Sequence, residues 1–356
     1  MKTALVTGSC GLVGSESVTF FTQRGWRVVG IDNNMRASFF GPHCDTSANL
    51  ERLLRDNRRY EHVELDVRDR DGIDRTVAAA RPDLVFHCAA QPSHDLAARR
   101  PFEDFEINAT GTLNLLEAAR RHCPDTPFVF MSTNKVYGDA PNELPLVELE
   151  TRYDYADIGR SEGVDESMRV DASMHSLVGA SKAAADLLVQ EYGRYFEMPT
   201  CSFRAGCITG PQHLGVELHG FLAYLARAVR DGIPYRIYGY KGKQVRDNIH
   251  SFDICTATLA FSEAPRAGAV YNIGGGRANS ISLVEGIARL EEVFGRRLDR
   301  TYVEEARRGD HVCYISDSSR FRADYPSWDV SIGLDEIVSQ LGELLAPAVI
   351  TAAASA

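Results

Sequence analysis

The chain has no surplus of positive charge: over 356 residues Lys and Arg number 39 against 49 Asp and Glu, a net charge of −10. Binding along a phosphate backbone needs a cationic excess gathered on one face, so nucleic acid is not an expected partner. Paired cysteines are also lacking. The eight present (Cys10, Cys44, Cys88, Cys123, Cys201, Cys207, Cys255 and Cys313) are scattered, with no C-x-x-C and no Cys/His spacing suited to a metal. Neither a disulfide framework nor a metal site is expected, and the thiols read as reduced. No apolar window of about 18 residues occurs, which argues against a membrane partner. Met1 leads almost directly into a strand-like run at Thr3–Thr7, without the cationic and apolar segments of a secretory leader. The expectation is a cytoplasmic protein.

What is present is an alternation. Short β-branched runs at Ala4–Val6, Arg27–Ile31, His62–Leu65, Leu84–Phe86 and Phe128–Phe130 are separated by stretches of helical period. That order predicts an α/β fold, a Rossmann doubly wound parallel sheet carrying helices on both faces. The acidic stretch Glu143–Asp171 has little apolar periodicity and reads as loop around a site. A helix is predicted over Ser181–Phe196, a strand over Thr200–Arg204, then a Gly- and His-containing stretch Gly210–Gly220. The alternation suggests a first domain over residues 1–196 with returns near 235–260, and a smaller α/β substrate-binding lobe over 197–350, interleaved with it. The Ala-rich end Thr351–Ala356 reads as frayed.

Thr7-Gly8-Ser9-Cys10-Gly11-Leu12-Val13-Gly14 follows the first strand and opens a helix, the setting in which spaced glycines signify a dinucleotide site. Gly8 permits the turn, Gly11 lets a pyrophosphate reach the backbone, and Gly14 lets helix and strand approach. Helix amides near Cys10, Leu12 and Val13 offer donors to that anion. Asp32, with Asn33 beside it, ends the second strand at the distance expected of a carboxylate bonding ribose hydroxyls, and it would repel a 2′-phosphate. The cofactor implied is therefore NAD. Asp66 and Val67 end the third strand where adenine would lie, and Cys88, Ala89 and Ala90 keep the end of the fourth strand small.

These glycines, with His87-Cys88-Ala89-Ala90, Asn108 and Ser132-Thr133-Asn134-Lys135-Val136-Tyr137-Gly138, resemble the extended short-chain dehydrogenase/reductase family acting on nucleotide sugars. Within it, Glu150-Thr151-Arg152-Tyr153, Asp165-Glu166-Ser167, His175-Ser176 and Gly242-Lys243-Gln244-Val245-Arg246-Asp247 are similar to the CDP-paratose (CDP-tyvelose) 2-epimerase branch. The resemblance implies an NAD-dependent enzyme on a nucleotide sugar or related nucleoside. It implies cofactor contacts by Asn108, Ser132, Lys182 and Arg204, and hydroxyl binding by Thr133. Asn134, Gln244, Arg246 and Arg307 are implied on the substrate side, the arginines because a planar fork bonds phosphate bidentately. It further implies a homodimer built from segments 97–122 and 168–196.

One position departs from the family. Tyr-x-x-x-Lys places a phenol and an ammonium on one helix face, and here Lys182 is preceded four residues earlier by Val178. Valine accepts no proton. Another base, binding without turnover, or a substituted sequence each accounts for it. Candidate acid–base residues are Thr133, Lys135, Tyr137, Glu166 and Cys207, each with a structural alternative: Tyr137 as core, Glu166 as a helix cap, Cys207 as a small buried side chain. Dehydratases of the family carry Asp-Glu after Ser-Thr, where this chain has Asn134-Lys135. Three functions stay open at this point: an epimerase with a non-standard base, a dehydratase eliminating water, and a non-catalytic nucleotide-sugar binder.

Overall fold

Alternation along the first strand decides the layering. In β1 (Thr3–Thr7) Ala4 and Val6 pack into one apolar cluster with helix α1 (Leu12–Gln23) and helix Ser251–Glu263. Leu5 enters the opposite cluster, with helices Arg70–Ala80, Gly111–His122 and Leu177–Phe196. Successive side chains of a strand point to opposite faces, so a strand buried on both reads as an unbroken apolar run. The computed structural model describes residues 1–213, 215, 216, 220–307 and 309–345. Part of the Gly210–Gly220 stretch, Arg308 and the Ala-rich end lie outside them.

The remaining central strands are β2 (Arg27–Asp32), β3 (Tyr60–Glu64), β4 (Leu84–His87), β5 (Phe128–Thr133), Thr200–Ala205 and Ala269–Ile273. Across the seven-stranded sheet the order is Ala269–Ile273, Thr200–Ala205, β5, β4, β1, β2, β3. Every pairing is parallel. The order reverses at β1, between β4 and β2, and the crevice above such a switch point is where open α/β sheets bind ligands. Two of these strands lie beyond residue 196, so the Rossmann unit extends past the expected boundary.

The smaller lobe is cored by helices Phe221–Asp231, Leu283–Phe294 and Leu334–Leu345 packed with strand Tyr235–Tyr238, which pairs in parallel with Arg300–Val303. Strand Val245–His250 pairs with Ser280–Ser282, Cys313–Tyr314 and Cys207–Thr209. The chain leaves the large sheet after Ala205, returns for Ser251–Ile273, and leaves again for Ser280–Phe294. Phe321 and Trp328 then rejoin the large unit's core before the last helix returns to the lobe. The acidic stretch read as loop contains an antiparallel hairpin, Leu146–Glu148 with Tyr153–Tyr155. Its signal is too short for periodicity to show. The predicted helix at Ser181 begins earlier, at Leu177, because Ser176 caps it by accepting from Gly179 N at 3.2 Å.

Candidate active site

A cavity of about 1090 Å³ opens above the C-terminal ends of β1, β4 and β5 and reaches the smaller lobe. At one end the backbone itself forms the wall. Gly8 has φ +66, and a Cβ on it would lie 2.9 Å from Ala89 N; a Cβ on Gly14 would lie 2.0 Å from the Gly8 carbonyl oxygen. Only glycine permits this approach of loop, helix and β4 end. Gly11 caps α1 without a side-chain hydrogen bond, leaving the first-turn amides to an anion. Asp32 accepts from Cys10 N at 2.9 Å and Asn34 N at 2.8 Å, tying the phosphate loop to the turn after β2. Asp66 accepts from Asn33 Nδ2 at 2.9 Å and Arg68 Nη2 at 2.7 Å. Burial pushes its carboxyl up, but the bonds from Arg68 outweigh this and hold it below the usual range. The cradle, the uncapped helix and the acid at the end of β2 fit a dinucleotide with free ribose hydroxyls.

Behind this wall runs a chain of buried polar groups. Thr7 Oγ1 accepts from Cys88 N at 3.2 Å and Ala89 N at 3.1 Å and shares a 2.6 Å hydrogen bond with His87 Nδ1. His87 Nε2 lies 2.9 Å from Thr112 Oγ1. Burial, then the nearby charge of Lys182, lowers the His87 pKa to about 3, so the ring is neutral. Asn108, in the π-helical widening Glu106–Thr110, donates to Gln91 O at 3.0 Å and Ser181 Oγ at 3.0 Å. It clamps the segment after β4 to helix Leu177–Phe196 and does not line the cavity.

Val178 and Lys182 stand one turn apart on the cavity wall. Lys182 Nζ donates to Met131 O at 2.6 Å and lies 4.0 Å from the Phe130 ring centroid. Burial lowers its pKa to about 7, against the opposing charges of Asp186, Cys88 and Asp104. Asp186 is fully occupied: Ser132 donates to it at 2.6 Å, Gln190 at 2.7 Å and Arg204 at 2.7 Å. Arg204 also donates to Tyr137 OH at 3.2 Å. A buried ion pair of this kind is held by its surrounding hydrogen bonds. Arg204 stands opposite Ser132 on the neighbouring strand, outside the cavity, and Asp186 accepts from both side chains.

The far end is built from charge. Lys135 Nζ donates to Gly309 O at 2.8 Å. Burial lowers its pKa to about 8, opposed by Asp310 and reinforced by Arg246. Arg246 donates to Val245 O at 2.7 Å and is ion-paired with Asp310. Burial raises the Asp310 carboxyl, but Arg246 and Lys135 hold it far below the usual range. His94 is pushed to about 4 by burial and by Lys135, and its Nδ1 is buried without a hydrogen-bond partner, as is Gln244 Oε1. Cys207 is raised to about 11, chiefly by burial, and is no nucleophile at neutral pH.

Most of the sequence-derived site residues converge here. Gly8, Cys10, Gly11, Leu12, Val13, Asp32, Asn33, Asp66, Val67, Cys88, Ala89, Ala90, Ser132 and Lys182 line the cofactor end. Thr133, Asn134, Lys135, Cys207, Gln244, Arg246 and Arg307 line the rest. Four lie outside: Asn108 and Arg204, as described, Tyr137, a fully buried core ring whose hydroxyl donates to Asn272 Oδ1 at 2.7 Å, and Glu166. That last carboxylate accepts from Asn272 N at 2.6 Å, pinning an edge-strand backbone, and burial raises it. His94 also lines the cavity, opening the short helix His94–Arg99 that Ser93 caps behind the β4 end. Nothing in its local string marks it.

Among the described residues no helix is long and apolar enough to cross a membrane. The description "NAD dependent epimerase/dehydratase family" matches residues 4–274. The chain is 35% identical over 295 residues to CDP-paratose 2-epimerase of Salmonella typhi, covering 81% of this chain and 83% of that protein. It is 30% identical to dTDP-glucose 4,6-dehydratase of Neisseria meningitidis serogroup B, covering 91% and 88%. Among solved structures, UDP-glucose 4-epimerase of Thermus thermophilus in complex with NAD superposes with a TM-score of 0.78 at 26% identity, covering 98% of this chain and 100% of that one. The cradle above the sheet switch point and these likenesses agree: the chain is an enzyme of the NAD-dependent epimerase/dehydratase family, and its cofactor is NAD.

Proposed function

We propose that the chain epimerises a nucleotide sugar through a keto intermediate, with a base other than tyrosine. The observation that carries this reading is the continuous cavity joining the glycine cradle to a wall bearing Arg246 and Arg307. Bound NAD supplies the hydride acceptor and donor. Thr133 and Asn134, at the end of β5, offer hydroxyl and amide groups to the sugar, and Arg246 and Arg307 offer forks to its diphosphate. Lys182, between Met131 O and the cofactor end, positions the ribose and adds positive charge. Asn134-Lys135 lacks the carboxylate pair that would shuttle protons in an elimination, which favours epimerisation over dehydration. The 35% likeness to the Salmonella protein supports a CDP-sugar as first choice.

Self-association is part of the proposal. Phe102 (84% exposed) and Tyr195 (79%) leave apolar rings in solvent on the two segments the resemblance implicates. The deciding experiment is incubation of the NAD-loaded protein with CDP-, UDP-, GDP- and dTDP-sugars, reading products by mass and NMR. An isomer of unchanged mass is expected. Loss of water would replace the reading with a dehydratase, and tight binding without conversion would replace it with a non-catalytic binder.

A further inference from the structure

Epimerisation by oxidation and reduction needs a group that takes a proton from a sugar hydroxyl and returns it, and Val178 cannot. We propose that Lys135 is this catalytic acid–base: it lines the cavity, its Nζ bonded among the described residues only to the Gly309 carbonyl, on a turn packed against the helix turn that bears Val178. The assignment rests on the epimerase reading above.

The turn is rigid. Lys135 N donates to Thr133 Oγ1 at 3.2 Å, fixing the lysine two residues beyond the hydroxyl that meets the sugar. A Cβ on Gly179 would lie 2.9 Å from Lys135 O, so the turn after β5 and the first turn of helix Leu177–Phe196 are in direct contact. Lys135 and Val178 are thus neighbouring parts of one wall. The other amine on the wall, Lys182, stands at the cofactor end, donating to Met131 O at 2.6 Å beside the Phe130 ring. Around Lys135 stand Asp310, Arg246, Arg307, Cys207, His94 and His311. Burial and the arginines outweigh Asp310 and leave the amine titrating at about 8. His94 and His311, both kept neutral by burial, add no charge.

In the oxidative half the hydroxyl O–H bond breaks and its proton passes to the neutral Lys135 nitrogen. The oxygen pair closes the carbonyl, and the C–H pair leaves as hydride to NAD. The reductive half reverses each transfer at the other face, so lysine and cofactor end as they began.

Only five lysines occur in the chain: Lys2, Lys135, Lys182, Lys241 and Lys243. Lysine-selective 13C labelling of the NAD-loaded protein therefore gives a sparse NMR spectrum in which Lys135→Met identifies the Lys135 signal. That signal is expected to titrate at about 8; titration in the ordinary lysine range overturns the assignment. Lys135→Met is expected to lower turnover about 10²–10⁴-fold while NAD and CDP-sugar affinities, read by calorimetry, stay within about threefold. Lys135→Ala is expected to recover turnover with added methylamine, a response that a merely structural lysine does not give. Wild-type epimerisation matched by Lys135→Met overturns this assignment alone. A wild-type protein that turns over no nucleotide sugar overturns the epimerase reading and this assignment with it.

Discussion

The two ends of the cavity are made differently. The cofactor end is a shape in backbone: a Cβ at Gly14 would sit 2.0 Å from a carbonyl oxygen, and the side chains nearby are as small as Ala89 and Ala90. The substrate end is a set of charges, with Lys135, Arg246, Arg307 and Asp310 gathered beside His94, Arg246 buried and the others partly so. A shape cut for a constant ligand tolerates almost no addition. A packed charge cluster is most sensitive to loss of the one carboxylate that offsets its cations.

The most severe way to test that contrast is to delete one charge. Asp310→Asn removes the carboxylate that offsets Arg246 and Lys135, and is expected to cost about 3–5 kcal/mol of stability in urea unfolding. It should also lower the Lys135 pKa further; a variant as stable as the parent would show that water already screens the cluster. Next comes addition at the other end. Gly14→Ala is expected to lose about 1–3 kcal/mol from overpacking and to weaken NAD binding in a fluorescence titration. An unchanged affinity would mean that the loop and α1 separate freely.

A pH series sharpens the comparison with a smaller effect. Lys182 and Lys135 titrate in the fold at about 7 and about 8, below the ordinary lysine value of 10.5. Between those pH values the unfolded chain holds protons that the folded chain has lost, so stability of the NAD-free protein rises with pH from about 7, by at most about 1.4 kcal/mol per pH unit for each lysine. Above pH 9, the ordinary thiol value, the thiols Cys10, Cys207, Cys255 and Cys313, all pushed upward by burial, outnumber the two lysines and reverse the slope. Urea midpoints at pH 7, 8 and 9 read this, and Lys182→Met should flatten the rise. The smallest change in stability is expected from Val178→Tyr, on the cavity wall. With Lys135 as acid–base, an added phenol occupies sugar space and lowers turnover about tenfold, leaving NAD affinity unchanged. A gain in turnover would instead reveal a standard site that had lost its tyrosine.

The sequence showed one end of the cavity far better than the other. Gly8, Gly11, Gly14 and Asp32 are legible because strand, turn and helix stand in one short run whose spacing has a single physical explanation. The five leading strands are equally plain, since burial on both faces leaves unbroken apolar stretches. The substrate end comes from β5, a helix start near residue 94, strand Val245–His250 and the segment at 309–310, so no local pattern contains it. His94 was invisible for that reason. Asn108 and Arg204 were assigned to the cofactor but stand behind the cavity wall, a distinction that depends on which way a side chain points. Glu166 failed as an acid–base candidate because its oxygen is spent on the Asn272 backbone amide.

The chain's repeated passage between the large sheet and the smaller lobe has a consequence for how such a protein diversifies. Two units joined by one strand can be exchanged as cassettes, and the cleft between them can swing on a single hinge. Here Thr200–Ala205 and Ala269–Ile273 complete the sheet while the segments between and after them build the lobe. Neither unit is a continuous stretch that recombination could lift out whole. A change of substrate then falls to single side chains along the cavity wall, where residues 134, 135 and 178 stand.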